Sequence, residues 1–158
     1  HIRFGIAHAD EEFEKLKAKK GVAVQKLRLR GLQLEEFPLF VTSIAPLLHS
    51  VVLTKNKIGS LPAEVFSHCS SLIELWLNEN QLRSLPPSIG HISTLKVLNI
   101  GGNNMKVMPK CLPGHTSSLV ELKLDGNPIR RLPARCHVWT SLAAFEVHDT
   151  VTLPPQEI

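Results

Sequence analysis

The chain has 158 residues, 43% of them hydrophobic, and a formal net charge of +4. That is enough apolar material for one continuous core, and with 6 Phe, 2 Trp and no Tyr this core must be aliphatic. No apolar run approaches the roughly 18–20 residues of a membrane span, and no signal-peptide apolar region opens the chain, so no transmembrane segment is expected.

Residues 1–23 form an N-terminal arm that contains ADEEFEKLKAKKG (9–21). Asp10 is a candidate N-cap, acids fill the first turn, lysines fill the last, and Gly21 can end the helix. Phe13 and Leu16 share one face, so the expected role is a cap over the unit that begins at residue 24. The chain opens on His1 rather than Met, which leaves room for a preceding segment or targeting signal.

From residue 24 the sequence repeats itself. Four segments align without a gap: LHSVVLTKNKI (48–58), LIELWLNENQL (72–82), LKVLNIGGNNM (95–105) and LVELKLDGNPI (119–129). A weaker copy, VQKLRLRGLQL (24–34), stands before them, and another, LAAFEVHDTVT (142–152), after them. Successive copies start 24, 24, 23, 24 and 23 residues apart. Self-similarity at this period is the signature of a solenoid, in which each unit buries its apolar side against its neighbours.

Alternation along a strand puts the two apolar residues of each central triplet on one face. Leu75 and Leu77, or Leu122 and Leu124, therefore point inward. The asparagines Asn56, Asn80, Asn103 and Asn127 recur at the ninth position of their copies. Stacked about 4.8 Å apart, they are expected to form an internal ladder that satisfies backbone groups in the turn after each strand. Between strands the chain reads Phe-Pro (37–38), Leu-Pro (61–62, 85–86, 132–133) or Met-Pro (108–109), each followed three residues later by an apolar residue or Cys136. Proline has no N–H, so it suits a return segment outside the ladder.

This pattern, apolar-x-x-apolar-x-apolar-x-x-Asn-x-apolar with a Leu-Pro-x-x-Ile return, resembles the leucine-rich repeat. It is similar to the short-period type found in small intracellular Ras-pathway and scribble-like scaffold proteins. The resemblance covers residues 24–153, about six copies. It implies an α/β solenoid with parallel strands on a concave face and short helical or irregular returns on the convex face. It also implies protein binding. In the outer copies Leu32 and Thr150 replace the asparagine, as terminal units often do. Residues 154–158 are a short tail, either continued in a longer chain or covered by a partner.

The side chains flanking the inward leucines predict the exposed face. Its central row is Arg28, Val52, Trp76, Asn99, Lys123 and Glu146, flanked by Glu74 and Glu121 on one side and Asn78 and Asp125 on the other. Trp76 lies near the middle, where an exposed Trp is either a partner-contact anchor or packs flat on neighbours such as Val52 and Val97. The expected partner-binding set is Trp76, Glu74, Asn78, Asn99, Glu121, Lys123 and Arg28. Lys26, Arg28, Arg30 and Lys55 make one end basic, whereas Asp125, Glu146 and Asp149 make the other acidic, a polarity that would orient a partner. Gly101, Gly102 and Gly126 leave room for close backbone approach near the acidic end.

Other signals carry less. His68, His91, His115 and His137 recur before successive copies but lack a ligand set at metal spacing, so no metal is expected. Cys69 and Cys136 occupy normally apolar positions of the return, and Cys111 a variable one. Three scattered cysteines argue against a disulfide framework, and no Asn begins a glycosylation triplet. Both features lead to the expectation of a reducing, intracellular location, the cytoplasm, rather than a secreted one. No nucleophile elbow, phosphate loop or zinc helix motif is present, so neither an enzyme nor a cofactor is expected. The reading is a non-catalytic interaction module holding a protein partner on the concave face. The alternative is a structural subunit of a large assembly, such as a ribonucleoprotein, docking through the basic end. Nucleic-acid or anionic-surface binding is the weaker reading, because no aromatics interleave with the basic residues.

Overall fold

In a computed structural model, every repeat contributes one three-residue strand, and all pair in parallel in chain order. The structure describes residues 25–108, 110, 112, 118–131 and 142–146. The expected N-terminal capping helix, the tail at 154–158, Cys111, Cys136, His115, His137, Asp149 and Thr150 lie outside the described residues.

The strands are β1 (Lys26–Arg28), β2 (Ser50–Val52), β3 (Glu74–Trp76), β4 (Val97–Asn99), β5 (Glu121–Lys123) and β6 (Ala144–Glu146). Their register keeps equivalent positions side by side, with Leu27, Val51, Leu75, Leu98, Leu122 and Phe145 in one row. The pairing continues past the strands. Leu53 N–H donates to Trp76 O at 2.8 Å, Leu77 to Asn99 at 2.8 Å, and Leu124 to Glu146 at 2.8 Å. Parallel strands need a crossover connection, and here it is one proline-led return per repeat.

The returns are short and varied. A four-residue helix, α1 (Val41–Ile44), runs into a 3₁₀ turn at Ala45–Leu47, and further 3₁₀ turns occupy Val65–His68 and Pro87–His91. Each sends apolar side chains inward. Val41, Val65, Ile89 and Leu112 are buried, as are Ala45, Cys69 and Ile92 one turn further on. Phe37 and Phe66 meet edge to face with centroids 5.9 Å apart. The rest of the core is aliphatic and continuous from Leu27 to Ile129. Cys69 is part of it, and burial pushes its thiol pKa up to about 11, so this side chain behaves as a small apolar residue.

Four asparagines join the repeats from inside. Asn80 Nδ2 donates to Leu77 O of its own repeat at 3.0 Å and to Leu53 O of the preceding one at 2.9 Å. Its Oδ1 accepts from Ile58 N–H at 3.1 Å. Asn103 and Asn127 repeat this pattern, and Asn56 accepts from both Leu32 and Leu34. All four are at most 7% exposed. One side chain thus serves two successive turns, adding to the backbone bonds between them, such as Gln81 N–H to Ile58 O at 3.0 Å.

The turn just before each asparagine needs a left-handed residue. Gly31, Lys55, Glu79, Gly102 and Gly126, the eighth position of five copies, all have φ between 57° and 70°. Gln33 shares this conformation, with φ 57°. Glycine adopts it freely, whereas Lys55 and Glu79 adopt it with a Cβ.

Replacing Asn80 with Ala removes the hydrogen bonds its amide donates to the Leu53, Leu77 and Asn78 carbonyls and strands the buried Ile58 N–H. Urea denaturation should show a loss of about 2–4 kcal/mol. Asn80→Asp retains the acceptor but buries a charge, so it should be no more stable than the alanine variant.

Candidate partner-binding face

The outward side chains of β1–β6 form one face bounded by the turns at the strand ends. Its polar rows are cross-linked between repeats. Ser50 Oγ donates to Glu74 Oε2 at 2.9 Å, and Thr54 Oγ1 to Asn78 Oδ1 at 3.0 Å. Lys123 Nζ stands 2.9 Å from Glu146 Oε1 and 3.5 Å from Glu121 Oε1. The hydrogen bond to Glu146 is the main influence holding the Lys123 ammonium above its ordinary pKa, with burial opposing it. Lys55 and Glu79, in left-handed turns of adjacent repeats, pair at 3.5 Å.

The residues expected to contact a partner take different places. Trp76 is half-buried on β3, in register with Val52 and Asn99. Glu74, Asn78, Glu121 and Lys123 are also half-buried, and Arg28 is exposed. These six share the face. Asn99 differs from its expected exposure: it is only 8% exposed, and its Oδ1 accepts from Gly101 N–H at 3.1 Å. Its short side chain folds back along the strand end, below the longer chains of Trp76 and Lys123 beside it. Ser50 and Thr54, in the same outward rows as Glu74 and Asn78, are buried for a related reason, since each reaches an acceptor one repeat ahead.

The polarity of the face is partly neutralised. Lys55, at the basic end, is paired with Glu79, so the unpaired cations among the described residues of that end are Lys26, Arg28 and Arg30. At the other end the structure brings together residues from separate rows. A recess of about 390 Å³ opens where Asn78, Asn99, Asp125 and Glu146 surround the backbone of Gly101, Gly102 and Gly126. Its trace in the sequence is the run of glycines in the seventh and eighth positions of neighbouring copies, but the space depends on both repeats together. No group of three or more His, Cys, Asp or Glu able to hold a metal ion occurs among the described residues. No helix among them is long and apolar enough to cross a membrane.

Parallel three-residue strands, proline-led returns and a buried asparagine in successive turns define a repeat solenoid with one open sheet face. The fold is that of a leucine-rich-repeat solenoid, and the family model described as leucine rich repeat matches residues 46–105. A volume-regulated anion channel subunit of Rattus norvegicus, LRRC8D, is 33% identical over 92 residues, which are 58% of this chain and 11% of that protein. An LRR protein of Leptospira interrogans superposes with TM-score 0.69 at 28% identity, over 73% of this chain and 29% of that one. The Arabidopsis receptor kinase HAESA, solved with the peptide hormone IDA and the co-receptor SERK1, superposes with TM-score 0.64 at 28% identity, over 82% of this chain and 26% of that one. The chain thus spans about a tenth of the channel subunit's length. Leucine-rich repeats are generally protein-interaction modules, and that is the level of function these likenesses establish.

The glycines of the left-handed turns should differ in tolerance. A Cβ at Gly31 meets no atom within 4 Å, whereas one at Gly126 would stand 3.1 Å from Gly102 N and 3.2 Å from its Cα. Gly31→Ala should cost about 1–2 kcal/mol through backbone strain alone. Gly126→Ala should cost measurably more, as read from paired urea midpoints.

Proposed function

We propose that this chain is a non-catalytic adaptor or scaffold module that holds a protein segment against its open sheet face, inside the cell. The observation that carries this reading is Trp76, a half-buried indole on β3, in register with Val52 and Asn99 and on the same face as Glu74, Asn78, Glu121 and Lys123. A large, stiff aromatic loses little conformational freedom on contact, and Trp is among the residues most enriched at interface hot spots. The cross-repeat hydrogen bonds hold its polar neighbours in place, so the face meets a partner with little rearrangement. HAESA, a structural relative, was solved with a peptide hormone and a second protein, which supports protein or peptide as the ligand class. The short-period return supports a scaffold of the scribble-like kind. Asn99 sits lower than the long side chains of this face and lines the recess at its far end.

A second reading draws on Lys26, Arg28 and Arg30, which are exposed and make no ion pair among the described residues. They suit docking of this end onto an anionic surface of a larger assembly. Such binding releases counterions and weakens steeply with salt.

The test is capture from cell extract with the chain, its Trp76→Ala variant and a return-face control, Glu64→Ala, followed by hydrogen exchange on the reconstituted complex. A partner retained by the control, protecting β3 and β4, should bind Trp76→Ala about 30-fold more weakly, equivalent to about 2 kcal/mol. Equal capture by all three baits removes the sheet face from the role. For the second reading, charge reversal at Lys26, Arg28 and Arg30 should abolish any salt-sensitive binding, and salt-insensitive binding would eliminate it.

A further inference from the structure

The recess at the acidic end has two properties that an ordinary solvated face lacks. The first is a carboxylate that forms no ion pair among the described residues. Glu79 is paired with Lys55 and Glu146 with Lys123, but Asp125 makes no ion pair among the described residues. Its carboxylate hangs over Gly101, where a Cβ would stand 2.7 Å from Oδ1. The second is an unused donor. Asn99 is 8% exposed and its Oδ1 is occupied by Gly101 N–H. Its Nδ2 makes no hydrogen bond among the described residues, although the side chain lines the recess. Asn78 is similar: Oδ1 accepts from Thr54, and Nδ2 makes no hydrogen bond among the described residues.

Amide donors lining a recess are normally satisfied by protein, water or ligand. Here two of them, on the buried Asn99 and the half-buried Asn78, stand beside the Asp125 carboxylate and three adjoining positions that have no Cβ. The lining favours a guest that offers main-chain carbonyls to the amides and a positive charge to Asp125. It does not favour a metal ion, because Lys123 contributes a cation to the wall and no metal-holding group occurs among the described residues.

We propose that this recess is the subsite for a basic side chain, arginine or lysine, carried by an extended segment of the partner protein. Asp125 is the counter-charge, and the Nδ2 groups of Asn99 and Asn78 donate to carbonyls of that segment. Gly101, Gly102 and Gly126 let its backbone approach the turn. The proposal rests on the reading of the sheet face as a protein-binding surface and adds the chemistry of the residue bound at one end. It also gives a direction, with the partner's basic residue seated toward β4–β5 and away from the basic end at β1.

The experiment is a titration of the ¹⁵N-labelled chain with N-acetyl-arginine methylamide, and with N-acetyl-citrulline methylamide as its neutral counterpart. The arginine compound should give saturable amide shifts at Gly101, Gly102 and Gly126. The citrulline compound should bind about five-fold more weakly, as expected for loss of one partly exposed ion pair. Asp125→Asn should lower the arginine affinity to the citrulline level while its spectrum elsewhere overlays the parent, which shows that it is folded. Absent or non-saturable shifts, shifts centred outside the recess, equal binding of both compounds, or an unchanged Asp125→Asn titration would each overturn the proposal. None of these outcomes bears on Trp76-dependent capture of a protein, so the two readings fail separately.

Discussion

A solenoid must satisfy the polar backbone of every turn that leaves its sheet, and in this chain one buried amide in each of four successive repeats meets much of that demand. The strands are three residues long, and the backbone bonds that continue past them leave part of each turn's polar groups to be met by side chains. Asn56, Asn80, Asn103 and Asn127 extend the pairing inward, each donating to carbonyls of two successive repeats and accepting from an N–H of the preceding turn. Because each asparagine serves two repeats, the turns are fixed relative to one another. The outward rows and the recess inherit that spacing.

The left-handed residue before each asparagine arises from the same constraint. After each strand the chain must reverse within two residues, and φ becomes positive there in five successive copies, four of which carry the inward asparagine next. Where glycine holds the place, in Gly102 and Gly126, the turn stays low and open. Where Lys55 and Glu79 hold it, their side chains project and pair with each other. One backbone requirement thus divides the rim into a part covered by an ion pair and a part left as a recess.

Burial on the face depends on side-chain length as well as on row. Ser50, Thr54 and Asn99 sit in outward positions, yet all three are at most 8% exposed because short polar chains find partners along the sheet. The longer chains of Trp76, Glu74 and Lys123 rise above them. Protein recognition on such a face would be carried by the long residues, with the short ones holding them in place.

Periodicity alone determined the repeats, their parallel order, the inward leucines and the inward asparagines, because a 23- or 24-residue period brings equivalent residues side by side at strand spacing. Position within the repeat also marked Trp76 as an exposed-row aromatic and Cys69 as a core position. Only the tertiary structure decided which outward residues remain accessible, since that depends on a neighbour one repeat away rather than on the residue's own row. Asn99 was buried by its bond to Gly101, Lys55 was neutralised by Glu79, and Asp125 was left unpaired above a floor of glycines. Each of these outcomes is a contact between side chains or turns that alternation does not encode, because alternation specifies direction and says nothing of length, pairing or the space left between.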